Sequence, residues 1–259
     1  MYYEQNYHCF TALLVAFAAH ADSFAYDFIV NGLAYNIKKD GTVALTYKNP
    51  DLTYTSGDGG YVGNVVIPKM VKYKNRTYRV TEIGERTFSY CHKVTSVKIP
   101  EGIRKIGWFA FGQLINVSSI HIPSTVQEIA PGAFQVLLKL KRLTVSPANK
   151  YYCSEGNCIY NKKKTVLVFV AQVNKVLTIP SSVTTILDDA FSGNTKMKKL
   201  VVPKSVKYAG RAAFSSMNAT YVENRASMKD LPGSSKYGHR PLWTYQPCFV
   251  TPGEIKMIE

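Results

Sequence analysis

The chain has 259 residues, 46% hydrophobic and 19% charged, which excludes a disordered polymer and leaves room for a sizeable core. Its 32 Lys and Arg against 17 Asp and Glu give a formal charge of +15, which attracts anionic partners and specifies no fold. Nucleic acid would need a reading element as well as charge, and with no zinc-knuckle spacing, RNP-type aromatic motif or basic helix it is not an expected partner.

From the N-terminus, the apolar run Phe10 to Ala19 has the length of a signal-peptide core, and Ala19-His20-Ala21 supplies the small residues of a cleavage site. The preceding "MYYEQNYHC" carries no Lys or Arg, so only the terminal amine supplies positive charge there. This predicts a signal peptide over residues 1–21, cleaved after Ala21, and a secreted or cell-surface product. No other stretch reaches membrane-spanning length, so no membrane span is expected. Residues 22–61 alternate in hydrophobicity about turns at Asn31-Gly32 and Asp40-Gly41, which predicts a β-rich N-terminal cap.

From Val62 the chain repeats itself. Phe88, Phe111, Phe134, Phe191 and Phe214 each follow a small residue and are spaced by 23, 23, 57 and 23 positions. Five residues before each stands Ile83, Ile106, Ile129, Ile186 or Ala209, and three earlier Val80, Ile103, Val126, Val183 or Val206. A second register, L-x-x-L-x-L closed by Pro, runs through Val94, Val97, Ile99 and Pro100, and recurs at Ile120, Leu143, Leu177 and Leu200. Alternating apolar residues make a short strand and the Pro ends it, so each unit is one coil whose core is completed only by its neighbours. Gly84 and Gly107 leave little more than a helical turn for the far side of a coil.

Two intervals are too long by about a hairpin. "VKYKNRTYRV" predicts one insertion near 70–80 turning at Asn75-Arg76, and "NCIYNKKKTVLVFV" another within 150–172 turning inside Asn161 to Lys164. The template fails after Phe214, so repeats are expected over 62–217 and a Gly-, Pro- and Ser-rich C-terminal cap or tail over 218–259.

The coil "V-x-x-I-x-x-x-x-F…L-x-x-L-x-L-P" resembles the BspA-like bacterial leucine-rich repeats, and "YYCSEGNCIYNKKKTVLV" resembles the hairpin that interrupts arrays in that family. The resemblance covers roughly Val62 to Phe214. It implies a right-handed leucine-rich-repeat solenoid, and with the patterning above the expected fold is an α/β-type solenoid, mostly β, with short parallel strands on the concave face, a β-rich N-terminal cap and an irregular C-terminal cap. It also implies a surface or secreted protein of a host-associated bacterium, with a role in adhesion or host-protein binding.

No catalytic fingerprint occurs and the five His are scattered, so neither an enzyme nor a cofactor or metal site is expected. Cys153 and Cys158 flank a turn, where a disulfide and two free thiols are both compatible with the spacing, and Cys91 sits at a core position. Reading the exposed strand positions as columns gathers positive charge in the C-terminal half, at Lys141, Arg142, Lys175, Lys198 and Lys199, with Lys162, Lys163 and Lys164 on the inserted hairpin. Stacked strands hold such charges close, so the columns predict a basic surface for an acidic protein or an anionic glycan, host-derived partners included. A solvated lysine face is the other reading of the same columns. A structural spacer of the cell envelope and an accessory glycan-binding protein are the alternative functions.

Overall fold

The computed structural model describes residues 26–48, 60–173 and 176–227, and the backbone of two further short strands. The expected signal peptide, the C-terminal aromatics Trp243, Tyr245 and Phe249, Cys248 and Lys175 lie outside the described residues.

The chain opens with β1 (Phe28–Val30), β2 (Leu33–Ile37) and β3 (Val43–Thr46), an antiparallel meander. Asn31 and Gly32 both take positive φ, the geometry that a two-residue hairpin needs to match strand twist. After β4 (Gly63–Val66) comes a hairpin of β5 (Met70–Tyr73) and β6 (Arg76–Ile83). It turns at Lys74-Asn75, one residue before the expected Asn75-Arg76, because Lys74 takes the left-handed conformation.

Each regular coil then contributes one longer and one two-residue strand. These are β7 (Val94–Lys98) with β8 (Lys105–Ile106), β9 (Ser119–Ile122) with β10 (Glu128–Ile129), and β11 (Arg142–Val145). An insertion of β12 (Tyr152–Glu155), β13 (Cys158–Asn161) and β14 (Val166–Val170) follows. The coils resume as β15 (Val176–Thr178) with β16 (Thr185–Ile186), β17 (Lys199–Val202) with β18 (Tyr208–Ala209), and β19 (Tyr221–Asn224) with β20 (Lys229–Asp230). β21 (Ile255–Met257) lies antiparallel on β19.

Two lines of parallel strands result. The long strands pair as β4 with β7, β9 with β11, and β15 with β17 and β19. The short strands continue the meander through β3, β6, β8 and β10, and again from β14 through β16, β18 and β20. The chain is thus a mostly-β solenoid of about six turns.

The far side of each coil carries no helix among the described residues, so no helical element stands behind the α/β label. It is a run of turns with positive φ two residues before and two after the Phe, at Arg86 and Tyr90, Phe109 and Gln113, Gly132 and Val136, Asp189 and Gly193, Ala212 and Ser216. Two left-handed residues per coil stop helical propagation, and the freed amides bond between coils instead. Phe88 donates to Ala110, Phe111 to Ala133 and Phe191 to Ala213 at 2.7–2.9 Å, with the small residue before each Phe fully buried. Gly107 shows how close the coils come: a Cβ there would fall 2.7 Å from the Glu85 nitrogen of the preceding coil.

Phenylalanines stack along the axis, with Tyr61, Phe88, Phe111 and Phe134 at centroid spacings of 5.3–5.5 Å. Phe169 of the insertion extends the stack, 5.5 Å from Phe134, so the insertion is built into the core rather than hung outside it. Its two faces serve different clusters. Ile159, Val168 and Phe169 pack toward the N-terminal coils, whereas Cys158, Tyr160, Leu167 and Val170 pack toward the C-terminal ones.

The ladder also runs one coil past the expected end. β19 pairs in register with β17, Leu200 with Val222 and Val202 with Asn224, a step of 22 rather than 23 residues. One residue fewer moves the template off Glu223 and onto its neighbours, which is why the pattern vanishes from the sequence there.

Candidate functional site

The outward residues of the long strands form two columns. Within the three ladders the first aligns Asn64 with Ser96, Ser119 with Arg142, and Val176 with Lys199 and Tyr221; the second aligns Val66 with Lys98, His121 with Thr144, and Thr178 with Val201 and Glu223, Val201 being buried. At the N-terminal end the polar groups bond to one another. Thr95 and Ser96 hydroxyls both donate to Asn64 Oδ1 at 2.9 Å, and His121 Nδ1 lies 2.9 Å from Thr144 Oγ1.

The predicted basic residues divide by environment. Lys141, Arg142, Lys163 and Lys198 are exposed, with no ion pair among the described residues. Lys199 is held by Glu223 at 3.0 Å and lies 4.9 Å from the Tyr221 ring centroid. Glu223 also pairs with Arg225, and the two hydrogen bonds hold its carboxyl below the usual range. Lys164 pairs with Glu155, which raises its ammonium pKa. Lys162 donates to the carbonyls of Asn149 at 2.6 Å and Pro147 at 3.3 Å, so it fastens the insertion instead of presenting charge.

Between β11 and β15 the ladder opens into a cleft of about 590 Å³, lined by Arg142, Leu143, Thr144, Val173, Val176 and Leu177 together with the β12–β13 turn. Where a neighbouring strand would complete β11, side chains do so. Leu143 N–H donates to Asn157 Oδ1 at 3.3 Å, Val145 N–H to Ser154 Oγ at 2.9 Å, and Asn157 Nδ2 to the Lys141 carbonyl at 2.8 Å. Neither Asn157 nor Ser154 was singled out by sequence, since a polar residue at a hairpin tip reads as a turn former.

Cys153 and Cys158 are free thiols. On the paired strands Cys153 faces Tyr160 and Cys158 faces Glu155, a diagonal rather than a direct opposition. Burial pushes the Cys158 thiol up to about 12, so it is not a nucleophile at neutral pH. Among the described residues no group of three His, Cys, Asp or Glu is placed to hold a metal ion, and no helix is long and apolar enough to cross a membrane.

The family profile described as a BspA type leucine rich repeat region matches residues 71–176 and 168–238, in six copies. The chain belongs to the BspA-type leucine-rich repeat family. Solved structures similar to this BspA-type array include a leucine-rich repeat protein from Eubacterium ventriosum, 20% identical, covering 79% of this chain and 73% of that one with a TM-score of 0.47. The pneumococcal vaccine antigen PcpA is 14% identical over 78% of this chain and 71% of its own, with a TM-score of 0.42. The leucine-rich repeat protein of T. pallidum is 15% identical over 78% and 84%, with a TM-score of 0.39. No curated protein matches the sequence.

Proposed function

We propose that this BspA-type array is an exported recognition module whose long-strand face binds an acidic protein or an anionic glycan of a host. The observation that carries this is the exposure of Lys141, Arg142 and Lys198 along the long-strand ladders, with no carboxylate partner among the described residues, Arg142 lying in the wall of the cleft. Unpaired like charges on one rigid face repel each other, and an anionic ligand relieves that repulsion. A repeat scaffold suits such a role, because stacking fixes the spacing of the charges before any ligand arrives.

The reading is tested by retention of the mature chain on immobilised heparin and on acidic matrix proteins. Reversing Lys141, Arg142 and Lys198 to Glu should weaken capture at low salt by about tenfold or more, with the wild-type advantage shrinking as salt rises. Unchanged capture by the triple variant overturns it. Absence of capture by the wild-type chain at low salt also overturns it, and favours a spacer in the envelope.

A further inference from the structure

The two walls of the cleft between β11 and β15 are not equivalent. On β11 the open edge is completed by Asn157 and Ser154, as described above. On β15 no described residue stands in for a strand. Ile179 N–H donates to the Val201 carbonyl across the β15–β17 pair at 3.0 Å, which fixes the parity of the strand. Backbone groups of successive residues point to opposite edges, so the N–H and C=O of Val176 and Thr178 point away from β17, toward the cleft. They meet no partner among the described residues, and both residues are exposed, Val176 by 57%. An unpaired edge of this kind is a template for another strand.

We infer that β15 takes an extended peptide of an acidic partner protein as an added strand lying in this cleft. This rests on the acidic-partner reading above and names the backbone that holds the partner. The lining sorts the peptide's side chains by the two-residue period of a strand. One set meets Leu143, Val173 and Leu177; the alternate set emerges beside Arg142, with Lys141 adjacent. The carboxylate in the lining, Glu155, is already paired with Lys164 and does not oppose an acidic guest. The peptide favoured is therefore one alternating apolar with acidic residues. A glycan has no backbone amide or carbonyl to match Val176 and Thr178.

The experiment uses the whole mature chain and a panel of short synthetic peptides alternating Asp or Glu with Val, Ile or Thr, read by fluorescence anisotropy and hydrogen exchange. Binding is expected, with exchange at the Val176 and Thr178 amides slowed in the complex. N-methylation of alternate peptide amides, and separately Thr178→Pro, should each weaken binding about tenfold. Proline is tolerated on an edge strand whose N–H faces outward, and an unchanged melting temperature checks that Thr178→Pro folds. If that variant melts early, the exchange result on the wild-type chain decides alone. Binding that survives N-methylation and Thr178→Pro but is lost in Arg142→Glu overturns strand addition and leaves the charge reading standing. Failure of every peptide alongside salt-sensitive heparin capture does the same.

Discussion

Asp189 bears two local costs at once. It takes φ 56, where its coil equivalent is Gly132, and its carboxylate is buried with neither oxygen accepting a well-formed hydrogen bond. Burial pushes its pKa up to about 6, against smaller opposing effects from Gln135 and the Arg211 charge. A raised carboxyl pKa means that the folded state binds the proton more tightly than the unfolded one. Its favourable contribution is therefore complete below the ordinary value of 3.8 and is lost as pH rises through about 6. Asp189→Asn should raise the melting temperature at pH above 7, by a free energy on the order of 2–3 kcal/mol, and bring no gain below pH of about 4. Thermal unfolding followed by circular dichroism across that range checks the sign. Val136 bears a backbone cost alone, a β-branched side chain at φ 58 in a turn to which the preceding coil bonds, Gln113 N–H donating to the Gln135 carbonyl at 2.9 Å.

At the scale of the element, the insertion is moored by Asn149. Its side-chain amide donates to the carbonyls of Pro123 and Val126, both at 2.9 Å, and its Oδ1 accepts from the amides of Tyr151 and Tyr152, both at 2.8 Å. The residue is buried with all four bonds made, so Asn149→Ala breaks all four, and of the two carbonyls only that of Pro123 keeps another donor, Val126 N–H at 3.4 Å. The expected cost is about 3 kcal/mol or more, read as a fall in the denaturation midpoint with loss of exchange protection centred on β12. The hairpin itself was legible, because alternating Tyr, Ile and Val about "NKKK" demand paired strands. Its anchor was not, because Asn149 follows Pro147 in what reads as an ordinary loop and the two carbonyls its amide meets lie more than 20 residues away.

Across the whole molecule, the core is divided by that same insertion. The N-terminal and C-terminal cores meet on opposite faces of β13 and β14, and neighbouring coils in a repeat protein share energy chiefly through such interfaces. Phe111 lies between Phe88 and Phe134 and is fully buried. Phe111→Ala should cost about 3–5 kcal/mol and raise hydrogen exchange through β7 to β11, while β16 to β19 keep their protection. Equal loss of protection in both halves would show that the two cores unfold as one.

By itself the sequence determined the coil: the Phe spacing, the apolar strand positions and the prolines leave one way for 23-residue units to bury their side chains, by stacking. It also placed the Asn31-Gly32 turn, since few residue pairs tolerate positive φ twice. The tertiary structure alone decided which of the described lysines meet a carboxylate, because Glu155 of β12 reaches Lys164 in the turn after β13, and Glu223 reaches Lys199 across the β17–β19 pair. It alone opened the cleft beside β15, where the β12–β13 turn of the insertion stands bonded to β11 in place of a neighbouring long strand. Repeats constrain what each coil does with its neighbour. Where the repeat is broken, the spacing between coils is set by side chains distant in the chain, and no local pattern encodes it.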